Sequence, residues 1–156
     1  MRSISRELHL PIGVEPAFAL LHTPSAIRAW WSAARAVVAA RHGGLWVAAW
    51  GANEDAPDYI TAARILIWEP PHRLGLGEFE YFTKDGRGLP FEAALETEFT
   101  VHAEPEGSVL TVRQSGFPDD STADAFFAAC EQGWAATFAG IARHVGARGT
   151  VAAGPS

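Results

Sequence analysis

At 156 residues the chain falls in the size range of one domain and can bury a core of its own without metals or disulfides. Eighteen acidic against twelve basic residues give a net charge of −6, with Lys84 the single lysine, so the clustered positive charge that nucleic acid or an acidic membrane surface requires is missing and both partners are excluded. One cysteine, Cys130, excludes an internal disulfide and a cysteine-based zinc cluster, and no stretch approaches the roughly 20 apolar residues of a membrane span, so the chain reads as a soluble cytoplasmic protein.

Six Trp and nine Phe against two Tyr give an aromatic content that is heavy and dry. From the N-terminus, Ser3 to Leu10 alternate Ile4, Arg6, Leu8 and Leu10 against Ser5, Glu7 and His9, the period of a strand. Pro11 and Gly13 end it. Val14, Phe18, Leu21 and His22 then recur at helical spacing, and Thr23-Pro24 reads as the cap and first turn of a second short helix carrying Ile27, Trp30 and Trp31. Four runs rich in β-branched and aromatic residues follow, Arg35 to Arg41, Leu45 to Gly51, Tyr59 to Glu69 and Arg73 to Phe82, divided by Gly- and Pro-containing turns. Thr83 to Glu92 is longer than a hairpin turn and is expected to form a mobile loop at the mouth of a pocket. Ala94 to Ala103 and Ser108 to Ser115 complete seven strands, with Leu95, Thr97, Phe99 and Val101 on one face of the sixth and Leu110, Val112 and Gln114 on one face of the seventh. After capping residues at Asp119 to Thr122, Phe127, Cys130, Trp134, Phe138, Ile141 and Val145 form one apolar stripe on a long helix expected to close at Gly146. The domain is thus expected to span residues 1 to 146, with a disordered tail from 147 to 156.

This order of elements, together with Leu10-Pro11-Ile12, Thr23-Pro24, Trp30-Trp31, Gly44-Leu45-Trp46, Pro70-Pro71-His72-Arg73-Leu74, Ser115-Gly116-Phe117 and Gly133-Trp134, resembles the START-like (SRPBCC) superfamily. Within it the chain looks most like homologues of the activator of the Hsp90 ATPase. The resemblance implies an α+β helix-grip fold, a curved antiparallel sheet of about seven strands wrapped around a long C-terminal helix, with two short helices after the first strand. It leaves function open, because similar domains serve as ligand carriers, chaperone partners and cyclases. Glu78 and Gln114 stand where relatives commonly carry an aromatic residue and a His, which points to a more polar cavity.

The candidate ligand-binding residues are Trp31, Trp46, Trp50, Arg64, Glu78, Phe99, Gln114, Phe117, Trp134 and Phe138. Trp30 and Trp31 point about 100° apart on a helix, so one of them is expected to leave the core and line a cavity or face a partner. Trp46 and Trp50 share a strand face; Trp134 and Phe138 share the helix face that roofs the interior. For all of these, plain core packing is the competing reading. Glu78 and Glu80 lie on one strand face with Leu74 and Leu76, and Arg64 on the next strand with Ile60, Leu66 and Trp68, so a carboxylate and an arginine would meet inside if that face is interior. Solvent-facing charge is the competing reading, and a bulge would reverse the faces. The six histidines show no metal-ligand spacing, and no cofactor fingerprint or nucleophile motif occurs.

The leading expectation is binding of a small apolar or aromatic molecule between sheet and helix, without cofactor or metal. A protein-interaction module, chaperone-cofactor-like or a homodimer, is the alternative, because Ala36 to Ala40 and Leu45 to Ala49 are apolar on both faces. A cyclase- or hydrolase-type enzyme using Glu78 or Glu80 as base and Arg64 as oxyanion partner is the third.

Overall fold

A computed structural model describes residues 1–86, 89 and 91–148. Of the tail expected over 147–156, residues 149–156 lie outside them, as do residues 87, 88 and 90 of the expected loop.

The chain runs β1 (Arg2–Leu10), α1 (Val14–Ala19), α2 (Pro24–Trp31), β2 (Arg35–Val38), β3 (Leu45–Trp50), β4 (Tyr59–Glu69), β5 (Arg73–Thr83), β6 (Glu96–Glu104), β7 (Gly107–Phe117), a short 3-10 turn (Ser121–Ala123) and α3 (Asp124–Arg148). The seven strands form one antiparallel sheet in the order β1-β7-β6-β5-β4-β3-β2. The strands β2 to β7 are therefore the expected meander, and β1 joins its far edge beside β7. To reach the opposite edge, the chain crosses one face of the sheet through α1 and α2. That crossing, with α3 laid over the same face, is the helix-grip arrangement.

Local chemistry sets the helix ends. Pro24 occupies the first turn of α2, where its missing N–H is no loss, and Ser32 in the left-handed region ends that helix. Thr23 stands at the N-cap as expected, yet its side chain makes no capping bond; its carbonyl accepts from the Ile27 amide at 3.0 Å. Asp120 caps the 3-10 turn by accepting from the Thr122 amide at 3.0 Å, and α3 follows directly. Two expected ends are corrected. The first helix stops at Ala19 rather than His22, and α3 runs through Gly146 to Arg148 because that glycine stays out of the left-handed conformation that would end a helix.

Two apolar clusters make up the interior. The larger joins α1, α2 and the C-terminal half of α3 to the sheet around Phe18, Ile27, Ile65, Leu74, Leu110 and Ile141. A smaller one gathers Ile4, Leu95 and Phe117 under the N-terminal half of α3. Each fully buried side chain of this size contributes on the order of 2 kcal/mol. The two halves of α3 differ sharply in burial: Thr137, Phe138, Ile141 and Val145 are buried, whereas Phe126, Phe127, Cys130 and Trp134 are only half-buried. Among the described residues no helix is long and apolar enough to cross a membrane.

Candidate functional site

Phe79 and Trp134 touch both apolar clusters, and at this seam the interior holds a void of about 280 Å³. One wall is indole. Trp30 and Trp31 stack with ring centroids 5.5 Å apart, and Trp31 meets Trp46 at 5.6 Å. Two of these indoles have their polar edges satisfied: Trp30 Nε1 donates to the Leu20 carbonyl at 2.8 Å, and Trp46 Nε1 to the Leu21 carbonyl at 3.0 Å. Those two carbonyls lie just beyond α1, where the helix leaves backbone acceptors without intrahelical partners. The sheet supplies the floor through Thr61, Leu76, Phe79, Tyr81, Thr97, Phe99 and Gln114, and α3 the roof through Phe126, Ala129, Cys130, Gly133, Trp134 and Thr137.

Trp31, Trp46, Phe99, Gln114 and Trp134 are therefore brought together as expected. Trp30 lines the same space from within the core, beside the half-buried Trp31. Trp31 is the last residue of α2, so the helix ends at the rim and the two rings stack along it. Three expected aromatics stand elsewhere. Trp50 lies behind Trp31, ring centroids 4.8 Å apart, and donates to its carbonyl at 3.2 Å. Phe117 is fully buried in the smaller cluster against Phe126 and Phe127. Phe138 is buried and packs edge-on to Trp134.

Arg64 and Glu78 are placed outside the cavity, which corrects the expectation of an interior charged pair. The register of β4 with β5 shifts between Ala62 and Arg64, so Glu78 and Phe79 together oppose Ala63, and Glu78 takes φ of 50°. This extra residue reverses the alternation. Leu74 and Leu76 face inward before it, Phe79 and Tyr81 after it, and Glu78 and Glu80 face solvent. Arg64 is exposed and donates to the Gly43 carbonyl at 3.3 Å. The acid–base role considered for these residues has no place in the cavity.

Among the described residues no Asp, Glu, Lys, Arg or His lines the void. Burial raises the Tyr81 phenol far above its ordinary value, with the Cys130 thiol adding to the effect. Burial likewise pushes that thiol up to about 11, so both groups stay neutral at physiological pH and Cys130 is a poor nucleophile. No three metal-ligating side chains are grouped among the described residues. The polar content of the lining is then a set of hydroxyls and one amide. Gln114 is buried on β7 opposite Thr97, and its Oε1 accepts from Trp134 Nε1 at 2.6 Å. What this arrangement can do is hold a neutral molecule in a dry aromatic setting.

Sequence reasoning missed Phe79 and Tyr81 because the bulge hides their facing. Thr97 was readable from the alternation of β6, and Phe126 from its i, i+4 spacing to Cys130. A second depression of about 440 Å³ shares Thr61, Tyr81 and Phe126 with the first and adds Trp50, Tyr59, Phe82 and Leu89. It forms an apolar vestibule beside the inner cavity.

Comparison with solved structures gives the same architecture. A protein from Rhodobacter sphaeroides superposes with a TM-score of 0.73 at 20% identity, covering 93% of both chains. Protein MLL2253 from Mesorhizobium loti gives 0.72 at 18% identity over 91% of this chain and 95% of its own. An AHSA1-like protein from Aeromonas hydrophila gives 0.69 at 19% identity over 95% of this chain and 94% of its own. At these identities the likeness establishes the helix-grip α+β fold and nothing of activity. No curated protein matches the sequence. The model of the family described as activator of Hsp90 ATPase homolog 1-like protein matches residues 13–146, and the chain belongs to that family.

Proposed function

We propose that this protein binds a small apolar or aromatic molecule in the cavity between the sheet and α3. The observation that carries the reading is a void of about 280 Å³, lined by four tryptophans and by no charged residue among those described. Its size is at the low end of the range for small-molecule sites, about 300 Å³, and its chemistry is theirs, mostly apolar with few polar groups. Gly133 supports the same reading. It faces this space from the interior of α3, and a Cβ built there meets nothing within 4 Å, although glycine in a helix interior costs about 1 kcal/mol relative to alanine. A cytoplasmic setting belongs to the same proposal, in line with the one thiol, Cys130, being unpaired.

The test is native mass spectrometry of freshly purified protein, followed by denaturing extraction of whatever travels with it. The expected result is a stoichiometric adduct that releases an apolar or aromatic compound. A bare chain mass that stays bare after incubation with neutral aromatic compounds would contradict the reading.

A second reading, an interaction module, is favoured by a separate observation. The edge strand β2 exposes Val37 at 61%, and beside it Leu45 on β3 is 41% exposed. An unpaired edge bearing apolar side chains is suited to pairing with a second copy. The family's name, which refers to activation of a chaperone ATPase, supports a protein partner in the same way. Light scattering after size exclusion separates the two: a dimer that Val37→Lys turns into a monomer is the expected result for the homodimer, and a monomer at all concentrations removes it.

A further inference from the structure

We infer that the cavity selects a neutral aromatic compound bearing a hydrogen-bond acceptor, a ketone or similar oxygen, which accepts from the side-chain nitrogen of Gln114. This rests on the reading of the cavity as a ligand site.

Gln114 is 5% exposed and lines the void. Its orientation is determined by its partner. An indole N–H can only donate, so the Gln114 atom 2.6 Å from Trp134 Nε1 is the oxygen. The amide nitrogen is left with two N–H donors, and among the described residues it bonds to no acceptor. That nitrogen is not one of the fully buried unpartnered atoms, so it stays accessible, and a ligand oxygen in the void can accept from it. The rest of the lining sets the charge of the occupant. With no Arg, Lys or His among the described lining residues, a carboxylate or phosphate would be desolvated without a counter-charge. For a cation, likewise, no Asp or Glu among the described lining residues supplies a counter-charge. Four indoles, Phe79 and Phe99 supply flat apolar surface for the remainder of the molecule.

The experiment uses three probes of similar shape, 2-acetylnaphthalene, 2-ethylnaphthalene and 2-naphthoate, with affinities measured by calorimetry on the wild-type protein and on Gln114→Met. On the wild type the ketone is expected to bind about tenfold more tightly than the ethyl compound, the effect of one buried hydrogen bond, and naphthoate most weakly. In Gln114→Met the ratio of ketone to ethyl affinity should fall well below its wild-type value. A second readout needs no variant: the carbonyl stretch of the bound ketone is expected below its frequency in hexane. Equal affinity of ketone and ethyl compound for the wild type, or tightest binding of naphthoate, overturns this inference and leaves the apolar-ligand reading standing. Failure of all three to bind overturns both.

Discussion

Gly133 and Gly140 lie two turns apart on α3, and their surroundings predict opposite responses to the same substitution. A Cβ at Gly133 meets nothing within 4 Å, whereas one at Gly140 would stand 2.4 Å from the Trp30 carbonyl oxygen, where α3 crosses the end of α2. The missing side chain at 140 is what lets the two helices approach. Gly133→Ala should therefore raise stability by about 1 kcal/mol, the difference in helix propensity. Gly140→Ala should lower it by more than about 1 kcal/mol, because the contact is with backbone and the helix must move. Urea denaturation of the two variants checks the pair, and equal signs would contradict the packing described. The contrast also separates a glycine that maintains space for a ligand from one that closes an interface.

At the scale of elements, the bulge in β5 decides which residues the cavity contains. Glu78 is held at φ of 50°, a conformation that glycine adopts freely and β-branched residues resist. Glu78→Gly should leave stability within about 0.5 kcal/mol of the wild type or raise it, while Glu78→Val should lower it by about 1–2 kcal/mol. A loss in both would mean that the Glu78 side chain, and not its backbone, matters. This bulge also marks how far the sequence could be read. Alternation was sufficient for β6 and β7, where Thr97, Phe99, Val112 and Gln114 face inward as their period requires. The order of the elements and the stripe along α3 were legible in the same way. The facing of β5 beyond Gly77 was not, because one extra residue exchanges the two faces and no residue type at 78 announces it. For that reason Glu78 is expected inside and Phe79 and Tyr81 are overlooked, while a second register shift, between Ile65 and Ile67 in β4, breaks the shared face on which Arg64 is grouped with Leu66 and Trp68. Phe117, Phe138 and Trp50 were recognisable as interior aromatics. Whether each borders the void or backs another ring depends on how the two halves of α3 sit, which periodicity does not encode.

Considered as a whole, the molecule has a packed end and a hollow end. At the packed end His22 lies against Phe18 and Trp68, with ring centroids 5.5 and 5.2 Å away, and burial lowers its pKa below the ordinary 6.5. The unfolded chain then takes up this proton more readily than the folded one, so stability rises with pH through this group. Its contribution is complete above about pH 6.5 and is lost as the pH falls below it. His22→Phe should accordingly show a smaller loss of melting temperature between about pH 7 and about pH 5.5 than the wild type. An unchanged slope would show that the imidazole is not held neutral. His9, exposed between Glu104 and Glu7, is shifted upward instead and acts with the opposite sign, its contribution fading as pH rises. At the hollow end the proposed function requires that the void be kept for a ligand. The most direct measurement is titration of the neutral dye N-phenyl-1-naphthylamine into wild type and Gly133→Phe, with folding of both checked by circular dichroism. Saturable binding at one dye per chain is expected for the wild type, and affinity weaker by at least about tenfold for the variant, whose added ring occupies the space. Equal binding by both proteins, or none by the wild type, would contradict that requirement.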